Sequence, residues 1–144
     1  MRVYAIIFSE IMEIKRDLYL NKLIRSMHNG MIKVVTGIRR CGKSYLLFNL
    51  FSDYLKAQEV DDEHIIKVDL EDRRNKKLRN PDALLEYIDA RITKEGMHYV
   101  MLDEVQWVDE FEDVLNSYLK NFNVDVYVTG SNSKFLSSDV ITEF

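Results

Sequence analysis

The stretch that decides the fold of this chain is Gly37-Ile38-Arg39-Arg40-Cys41-Gly42-Lys43-Ser44, which fits the pattern G-x-x-x-x-G-K-[ST]. A β-branched run, Ile32–Thr36, precedes it, and an apolar run with helical spacing, Tyr45–Phe51, follows it. The glycines allow a tight turn that brings backbone N–H groups against phosphate oxygens, and the helix that follows directs the positive end of its dipole at the same anion. The order of strand, glycine loop and helix therefore predicts a phosphate-binding loop.

Individual side chains of this loop predict contacts with phosphates and with a metal ion. Lys43 supplies a positive charge for the β- and γ-phosphates of a nucleotide, and the Ser44 hydroxyl is a hard oxygen ligand that suits Mg²⁺. A surface glycine turn before an ordinary helix is the alternative interpretation. We expect the cofactor to be held by the whole segment, which consists of Gly37, Ile38, Arg39, Arg40, Cys41, Gly42, Lys43, Ser44 and Tyr45.

Composition places the chain in a broad class. Its 144 residues are enough for one domain with a real core, and 47% apolar and 31% charged residues are typical of globular proteins. The net charge of −4 gives no overall attraction to nucleic acid or to a membrane surface. The single cysteine, Cys41, excludes an internal disulfide and suits a reducing compartment, so we expect a cytoplasmic protein. No apolar run reaches the roughly 18 residues of a membrane span, so we expect no membrane insertion.

Strands and helices alternate along the chain. The predicted strands are Ile32–Thr36, His64–Leu70, His98–Asp103 and Val124–Thr129, and the predicted helices cover residues 14–28, 45–57, 81–94 and 111–122. This alternation predicts an α/β fold, a parallel sheet of about four strands with helices on both faces, which is a three-layer α/β/α sandwich. We expect one domain over residues 14–144 and a loosely attached extension over residues 1–13.

Polar clusters follow two of the later strands. Asp103-Glu104 comes directly after a nearly continuous apolar strand, and Ser131-Asn132 follows the next strand. In parallel sheets, ligands bind beyond the carboxyl ends of the strands, where the glycine loop also lies. We expect Asp103 to hold Mg²⁺ opposite Ser44, Glu104 to act as a general base on water, and Ser131 or Asn132 to contact the γ-phosphate. A solvated strand end and a simple Gly-Ser-Asn turn are the alternatives.

A connector between the second strand and the next helix carries five basic residues. They are Arg73, Arg74, Lys76, Lys77 and Arg79. Such a run can contact a phosphate backbone. However, acidic residues precede it and no aromatic residue interrupts it, so a solvated loop is the favoured interpretation.

Three motifs together resemble a group of prokaryotic AAA-type P-loop ATPases. They are the loop Gly37–Ser44, the segment Leu102-Asp103-Glu104-Val105-Gln106 and the segment Thr129-Gly130-Ser131-Asn132-Ser133. The resemblance covers roughly residues 14–144 and implies binding of ATP with Mg²⁺ and Mg-dependent hydrolysis of ATP to ADP. It also implies that Lys43, Ser44, Asp103 and Glu104 take the roles given above and that Ser131 and Asn132 sense the γ-phosphate.

The chain departs from the family pattern at two points. Asp69 ends the second strand, where related ATPases often place an asparagine that restrains the catalytic glutamate. Two carboxylates there would repel each other unless one were protonated, so we do not assign that role to Asp69. The family pattern also continues past the last motif with a fifth strand, an arginine-bearing segment and a nuclease-like C-terminal domain, so we expect a C-terminally truncated domain. The resemblance implies a sheet in which the four predicted strands lie in the order 1-4-3-2, numbered along the chain. Without the fifth strand, Ile32–Thr36 is expected at an open edge. Self-association, marginal stability or a strand borrowed from residues 1–8 would follow.

Several functions stay open at this stage. The leading hypothesis is an ATPase core, and the alternative is a nucleotide-binding interaction module or fragment with little or no turnover, because an arginine finger contributes about 10³ to 10⁵ in rate. A GTPase is disfavoured because no Asn-Lys-x-Asp motif is present. A small-molecule kinase is disfavoured because Asp103-Glu104 favours water as the nucleophile. A protein or nucleic-acid partner cannot be named from the sequence.

Overall fold

Six parallel strands form one sheet in this protein. A computed structural model describes residues 2–8, 16–37, 42–131 and 140–143. The strands are β1 (Val3–Phe8), β2 (Ile32–Gly37), β3 (Ile65–Asp69), β4 (His98–Asp103), β5 (Val124–Gly130) and β6 (Val140–Glu143). They lie in the order β3-β4-β5-β2-β1-β6.

Helices connect these strands. The α-helices are α1 (Arg16–Ser26), α2 (Lys43–Tyr45), α3 (Ser52–Ala57), α4 (Pro81–Asp89) and α5 (Phe111–Tyr118), and a π-helical segment, Leu46–Phe51, joins α2 to α3. Short 3₁₀ helices cover Asp62–His64, Arg73–Arg79 and Val105–Trp107. The predicted α/β fold with a parallel sheet is confirmed.

The predicted order of four strands is confirmed, whereas the number of strands and the open edge are wrong. β3, β4, β5 and β2 are neighbours in the expected sequence. On its other side, β2 pairs in parallel with β1, from Val3 opposite Ile32 to Phe8 opposite Gly37. Ile32–Thr36 is therefore an interior strand because the segment before it supplies the missing neighbour, which was one of the three predicted outcomes.

The N-terminal segment is consequently an integral part of the sheet. β1 lies between β2 and β6, and Val3, Ala5 and Ile6 have no exposed surface. Fully burying an aliphatic side chain contributes about 1.5 to 3 kcal/mol. The expectation of a loosely attached extension over residues 1–13 is therefore wrong at residues 3–8, because these apolar side chains are worth more inside the sheet than outside it.

Alternate residues of the strands build two cores, one on each face of the sheet. Val34, Val100 and Val128 face one core, in which α4 and α5 contribute Leu84, Ile88, Val114 and Leu115. Val35, Met101 and Tyr127 face the other core, in which α1 and the helical run 43–57 contribute Leu23, Leu46, Leu47, Phe51 and Leu55. The predicted three-layer arrangement follows from this division.

Helix α4 begins as predicted and ends early. The Asn80 side chain accepts a hydrogen bond of 3.0 Å from the Ala83 N–H, and Pro81 occupies the first turn. The helix ends at Asp89 rather than near Lys94. Ile92 still packs against the core, so its apolar side chain continues the helical pattern in the sequence after the helix itself has stopped.

Within the described ranges, no helix has the length and apolar character that crossing a membrane requires.

Candidate functional site

The carboxyl ends of three neighbouring strands carry the predicted site. β2 ends at Gly37, β4 ends at Asp103, and β5 ends at Gly130, next to Ser131. Because the strands are parallel and adjacent in the order β4-β5-β2, their ends lie at one edge of the sheet. The structure thus brings together polar residues that are separated by about ninety positions in the chain.

The two glycines of the loop have positive φ angles, as a tight turn requires. Gly37 has φ 152° and Gly42 has φ 102°, a region in which residues with a β-carbon are strained. The helical run begins at Lys43, and the Leu46 N–H already donates to the Gly42 carbonyl at 2.9 Å. Ile38, Arg39, Arg40 and Cys41 lie outside the described residues, so their predicted roles stay predictions.

Lys43 is buried at the centre of this edge. Its side chain is 3% exposed, and its ammonium group donates to the Gly37 carbonyl at 3.0 Å and to the Ser131 hydroxyl at 3.1 Å. The same group lies 4.0 Å from a carboxylate oxygen of Glu104. A positive charge thus lies between the loop and both of the following strand ends.

Ser44 and Asp103 face each other as expected for a shared cation. The Ser44 hydroxyl lies 2.8 Å and 2.7 Å from the two carboxylate oxygens of Asp103. A hydroxyl and a carboxylate are hard oxygen donors, and Mg²⁺ in nucleotide sites is usually held by one or two such protein ligands with water and phosphate. This donor pair therefore fits Mg²⁺. The described residues contain no cluster of three or more His, Cys, Asp or Glu side chains that would form a complete protein cage for a metal.

Burial raises the pKa of the Asp103 carboxyl above its usual value. Hydrogen bonds from Thr129 and Ser44 oppose this shift, while the charges of Asp69 and Glu104 add to it. The ionised carboxylate is therefore unfavourable in this structure, and a bound cation would relieve the cost.

Glu104 directly follows β4 in a left-handed conformation, with φ 55°. Its backbone N–H donates to the Thr129 hydroxyl at 2.9 Å. Its carboxylate accepts a hydrogen bond from the Gln106 amide nitrogen, and the Ser131 hydroxyl lies 3.2 Å from both of its oxygens. The turn therefore aims the Glu104 side chain across the strand ends, toward Lys43 and Ser131.

Two residues of this site lie within the quoted motifs but were assigned no role from the sequence. The Thr129 hydroxyl bridges the carboxylate of Asp103 and the backbone of Glu104. Gln106 donates to the Glu104 carboxylate, which fixes its amide orientation and leaves its carbonyl oxygen buried without a partner among the described residues. The pairing of Leu102 with Val128 places Thr129 beside Asp103, and this register cannot be read from the sequence.

Other predicted residues are placed less centrally. Tyr45 is 45% exposed, and its ring lies 5.0 Å from the guanidinium of Arg16. Asn132 lies outside the described residues. Asp69 is in register with Asp103, and its carboxylate accepts hydrogen bonds from the Glu71 and Asp72 N–H groups, so it caps its own turn.

Comparisons with known proteins agree with this geometry. The profile of a family described as "AAA domain" matches residues 29–144. An uncharacterized protein of Haemophilus influenzae is 32% identical over 130 residues, which are 90% of this chain and 32% of that protein. The uncharacterized protein MJ1544 of Methanocaldococcus jannaschii is 32% identical over 115 residues, which are 77% of this chain and 23% of that protein.

The chain therefore spans less than a third of the length of either relative. The family match covers most of the chain, including Lys43, Asp103 and Ser131. By this match the chain belongs to the AAA domain family of nucleotide-binding, ATPase-type proteins.

Proposed function

We propose that this chain binds ATP together with Mg²⁺ and hydrolyses the bond to the γ-phosphate. The observation that carries the proposal is the convergence of four side chains at one sheet edge, those of Lys43, Ser44, Asp103 and Glu104. The Ser44 hydroxyl lies within hydrogen-bond distance of both carboxylate oxygens of Asp103. Three buried charges meet there, one positive and two negative, so the described side chains alone leave an excess of negative charge that a cation would balance.

Each residue has a role that its contacts support. Lys43 binds phosphate oxygens, because its ammonium group is held beside the glycine loop at the Gly37 carbonyl. Ser44 and Asp103 hold Mg²⁺, which when bound neutralises the charge that develops on the phosphate oxygens. Glu104 takes a proton from the attacking water, and Ser131, with Asn132 next to it, orients the γ-phosphate.

A nucleotide-binding interaction module with little turnover is the second candidate. Hydrogen bonds from Gln106 and Ser131 occupy the Glu104 carboxylate, and Lys43 lies 4.0 Å from it. A carboxylate that keeps these partners after ATP binds would be a weak base. The two candidates differ in turnover and share nucleotide binding.

Binding is tested by Lys43→Ala. We expect the dissociation constant of Mg-ATP to rise by about tenfold or more, because a charge-assisted hydrogen bond contributes roughly 1.5 to 3 kcal/mol. Calorimetric titration of parent and variant measures this change. Lys56→Ala, which removes an exposed lysine away from this edge, is the control and should bind ATP like the parent. Equal affinity in the parent and in Lys43→Ala would contradict the proposal.

Chemistry is tested by Glu104→Gln, which keeps the size of the side chain and removes the base. ATP should still bind, and the rate of phosphate release should fall by about 10² or more, the usual contribution of a general base. Release of phosphate from ATP by purified parent and variant measures this loss. Unchanged turnover would exclude Glu104 as the base, and a parent that binds ATP without turnover would favour the interaction module.

A further inference from the structure

We propose that a basic surface beside the candidate site binds single-stranded nucleic acid. This basic surface consists of Arg73, Arg74, Lys76, Lys77 and Trp107. It goes beyond the proposed function and does not depend on it, since none of its side chains is assigned to ATP; the Trp107 backbone N–H donates to the Glu104 carbonyl at 3.2 Å.

The cations of this surface lie on the 3₁₀ helix Arg73–Arg79, which follows β3. The Asp72 carboxylate accepts a hydrogen bond of 2.9 Å from the Arg74 N–H and so fixes the start of this helix. All four basic side chains are exposed, and together with Asn80 they line a cavity of about 570 Å³. This 3₁₀ segment, which has a kink at Asn75, therefore presents four cations around one concave space.

Most of this charge is uncompensated. Arg74 lies 3.4 Å from the carboxylate of Asp72 and is partly neutralised by it. In the part of the chain that the structure describes, Arg73, Lys76 and Lys77 form no ion pair. The lining of the cavity includes no acidic side chain. The lining of this cavity therefore carries a net positive charge although the whole chain has a net charge of −4.

The fold brings an aromatic ring to the end of this basic segment, although the two are separated in the sequence. Trp107 is 43% exposed, and its ring centroid lies 4.3 Å from the guanidinium of Arg79, the last residue of the same 3₁₀ helix. Arg79 is itself fixed by hydrogen bonds to the carbonyls of Leu70 and Glu71, at 2.9 Å and 3.1 Å. The indole is thus held at the end of the basic helix with part of its surface open to solvent.

Cations together with an open aromatic surface favour a single strand over other polyanions. Lysine and arginine side chains follow a phosphate backbone, and an unpaired base offers a face that stacks on an aromatic ring. In a duplex these faces are already stacked on one another, and an acidic peptide would use the cations but leave the indole unpaired. The occupant that uses both features is an unpaired nucleic-acid strand.

The test uses the 144-residue chain without ATP, so its outcome is independent of the proposed function. Trp107 is the only tryptophan, and its fluorescence therefore reports directly on stacking. The probe is an end-labelled oligothymidylate longer than the roughly 4 to 16 nucleotides that one such domain covers. We expect quenched tryptophan emission and raised anisotropy of the label. Three to four phosphate contacts predict that log K falls against log salt with a slope of about −2 to −3.

Three variants and one matched control locate the contact. Combined Arg73→Glu, Lys76→Glu and Lys77→Glu should lower affinity by more than about tenfold, because the phosphate contacts turn repulsive. The control reverses three other exposed charges, with Lys56→Glu, Lys94→Glu and Lys120→Glu, and reaches the same net charge. Trp107→Ala should lower affinity by about five- to a hundredfold, the contribution of one stacked base. Trp107→Phe should restore most of it.

Four results would overturn the proposal. They are absence of binding at low salt, an equal loss of affinity in the control, an unchanged affinity in Trp107→Ala, and equally tight binding of polyglutamate or of duplex DNA. The last result would assign the surface to anions in general, such as an acidic protein. Thermal unfolding of each variant is measured in parallel, and because every replaced side chain is exposed we expect the fold to persist.

Discussion

The two ends of the same strands hold two different lysine-carboxylate clusters. Near the amino ends, Lys33 of β2 is fully buried and its ammonium group is in direct contact with the carboxylate of Asp125 in β5. That carboxylate also accepts hydrogen bonds from the Tyr127 hydroxyl and from the His28 N–H, the latter at 3.0 Å. Burial outweighs the effect of Asp125 and lowers the pKa of Lys33, but each charge of this pair is in contact with a charge of the opposite sign.

Among the described residues, the carboxyl ends carry two buried carboxylates, Asp103 and Glu104, and one buried ammonium group, that of Lys43. Lys43 lies 4.0 Å from Glu104, and burial, with the charge of Glu104 adding to it, raises the pKa of the Asp103 carboxyl. A charge pair that the fold satisfies by itself stabilises one structure, whereas charges that the fold leaves in excess are available to a ligand. We therefore interpret the Lys33–Asp125 cluster as structural and the cluster at the carboxyl ends as a ligand site. Three predictions test this comparison.

The largest expected effect is on stability at the amino ends. Lys33→Ala removes one partner of a buried pair and leaves the Asp125 carboxylate without its cation. We expect the free energy of unfolding to fall by about 3 to 5 kcal/mol, the usual cost of such a change. Urea denaturation measures it. The double variant Lys33→Met, Asp125→Leu removes both charges and should recover much of the loss. A single variant as stable as the parent would contradict a structural role for this cluster.

At the carboxyl ends, we expect a substitution to increase the free energy of unfolding instead of lowering it. Burial raises the pKa of Asp103, so its ionised form destabilises the nucleotide-free fold at neutral pH. Asp103→Asn removes that charge and should increase the free energy of unfolding by about 1 kcal/mol, while Mg²⁺-dependent ATP binding is lost. Thermal unfolding without nucleotide and calorimetry with Mg-ATP measure the two effects. Asp125→Asn is the matched control and should destabilise, and a destabilised Asp103→Asn would overturn the contrast.

The smallest effect on stability is expected at the hydrogen-bonded pair His64 and Asp61 on the surface. The two ring nitrogens of His64 contact the Asp61 carboxylate at 2.5 Å and the Glu95 carbonyl at 2.7 Å, and both partners are acceptors. Two acceptors favour the charged form of the ring, and the Asp61 hydrogen bond raises the pKa of His64. Stability from this contact is fully present below the unfolded pKa of about 6.5 and is lost as pH rises through the higher folded value.

We expect the melting temperature to fall by no more than a few degrees over this pH window. Scanning calorimetry across about pH 5 to 8 measures the fall, and His64→Gln should flatten it. A variant with the same pH profile as the parent would show that this contact does not contribute.

Elements with strong local patterns could be predicted from the sequence, and contacts set by register could not. β4 was predicted with the observed bounds, His98–Asp103, because its apolar run is continuous and ends at a carboxylate. The glycine loop and the position of Asp103 followed from motifs whose chemistry is local. Thr129 and Gln106 were assigned no role. The contacts of Thr129 depend on which residues of β4 and β5 lie side by side, and that of Gln106 depends on the turn after β4.

The error at the sheet edge has a similar origin. The apolar run Val3–Phe8 was recognised as able to form a strand, but its neighbours could not be derived from its composition. Parallel pairing needs a long connection, and local residues carry no record of the distant partner. Trp107 illustrates the same limit, since its contact with Arg79 joins two 3₁₀ helices that α4 and β4 separate in the chain.

The position of β1 also has a consequence for how the protein is made. β1 is the first described strand to leave the ribosome, β2 is available to it soon afterwards, and β6, its other neighbour, is the last described strand to be synthesised. Until residues 140–143 emerge, the outer edge of β1 presents unpaired backbone groups on an apolar strand, which can pair with other chains. Completion of the sheet therefore has to wait for the end of the described chain, and the nascent protein has most need of chaperone protection on the side where β6 will later bind.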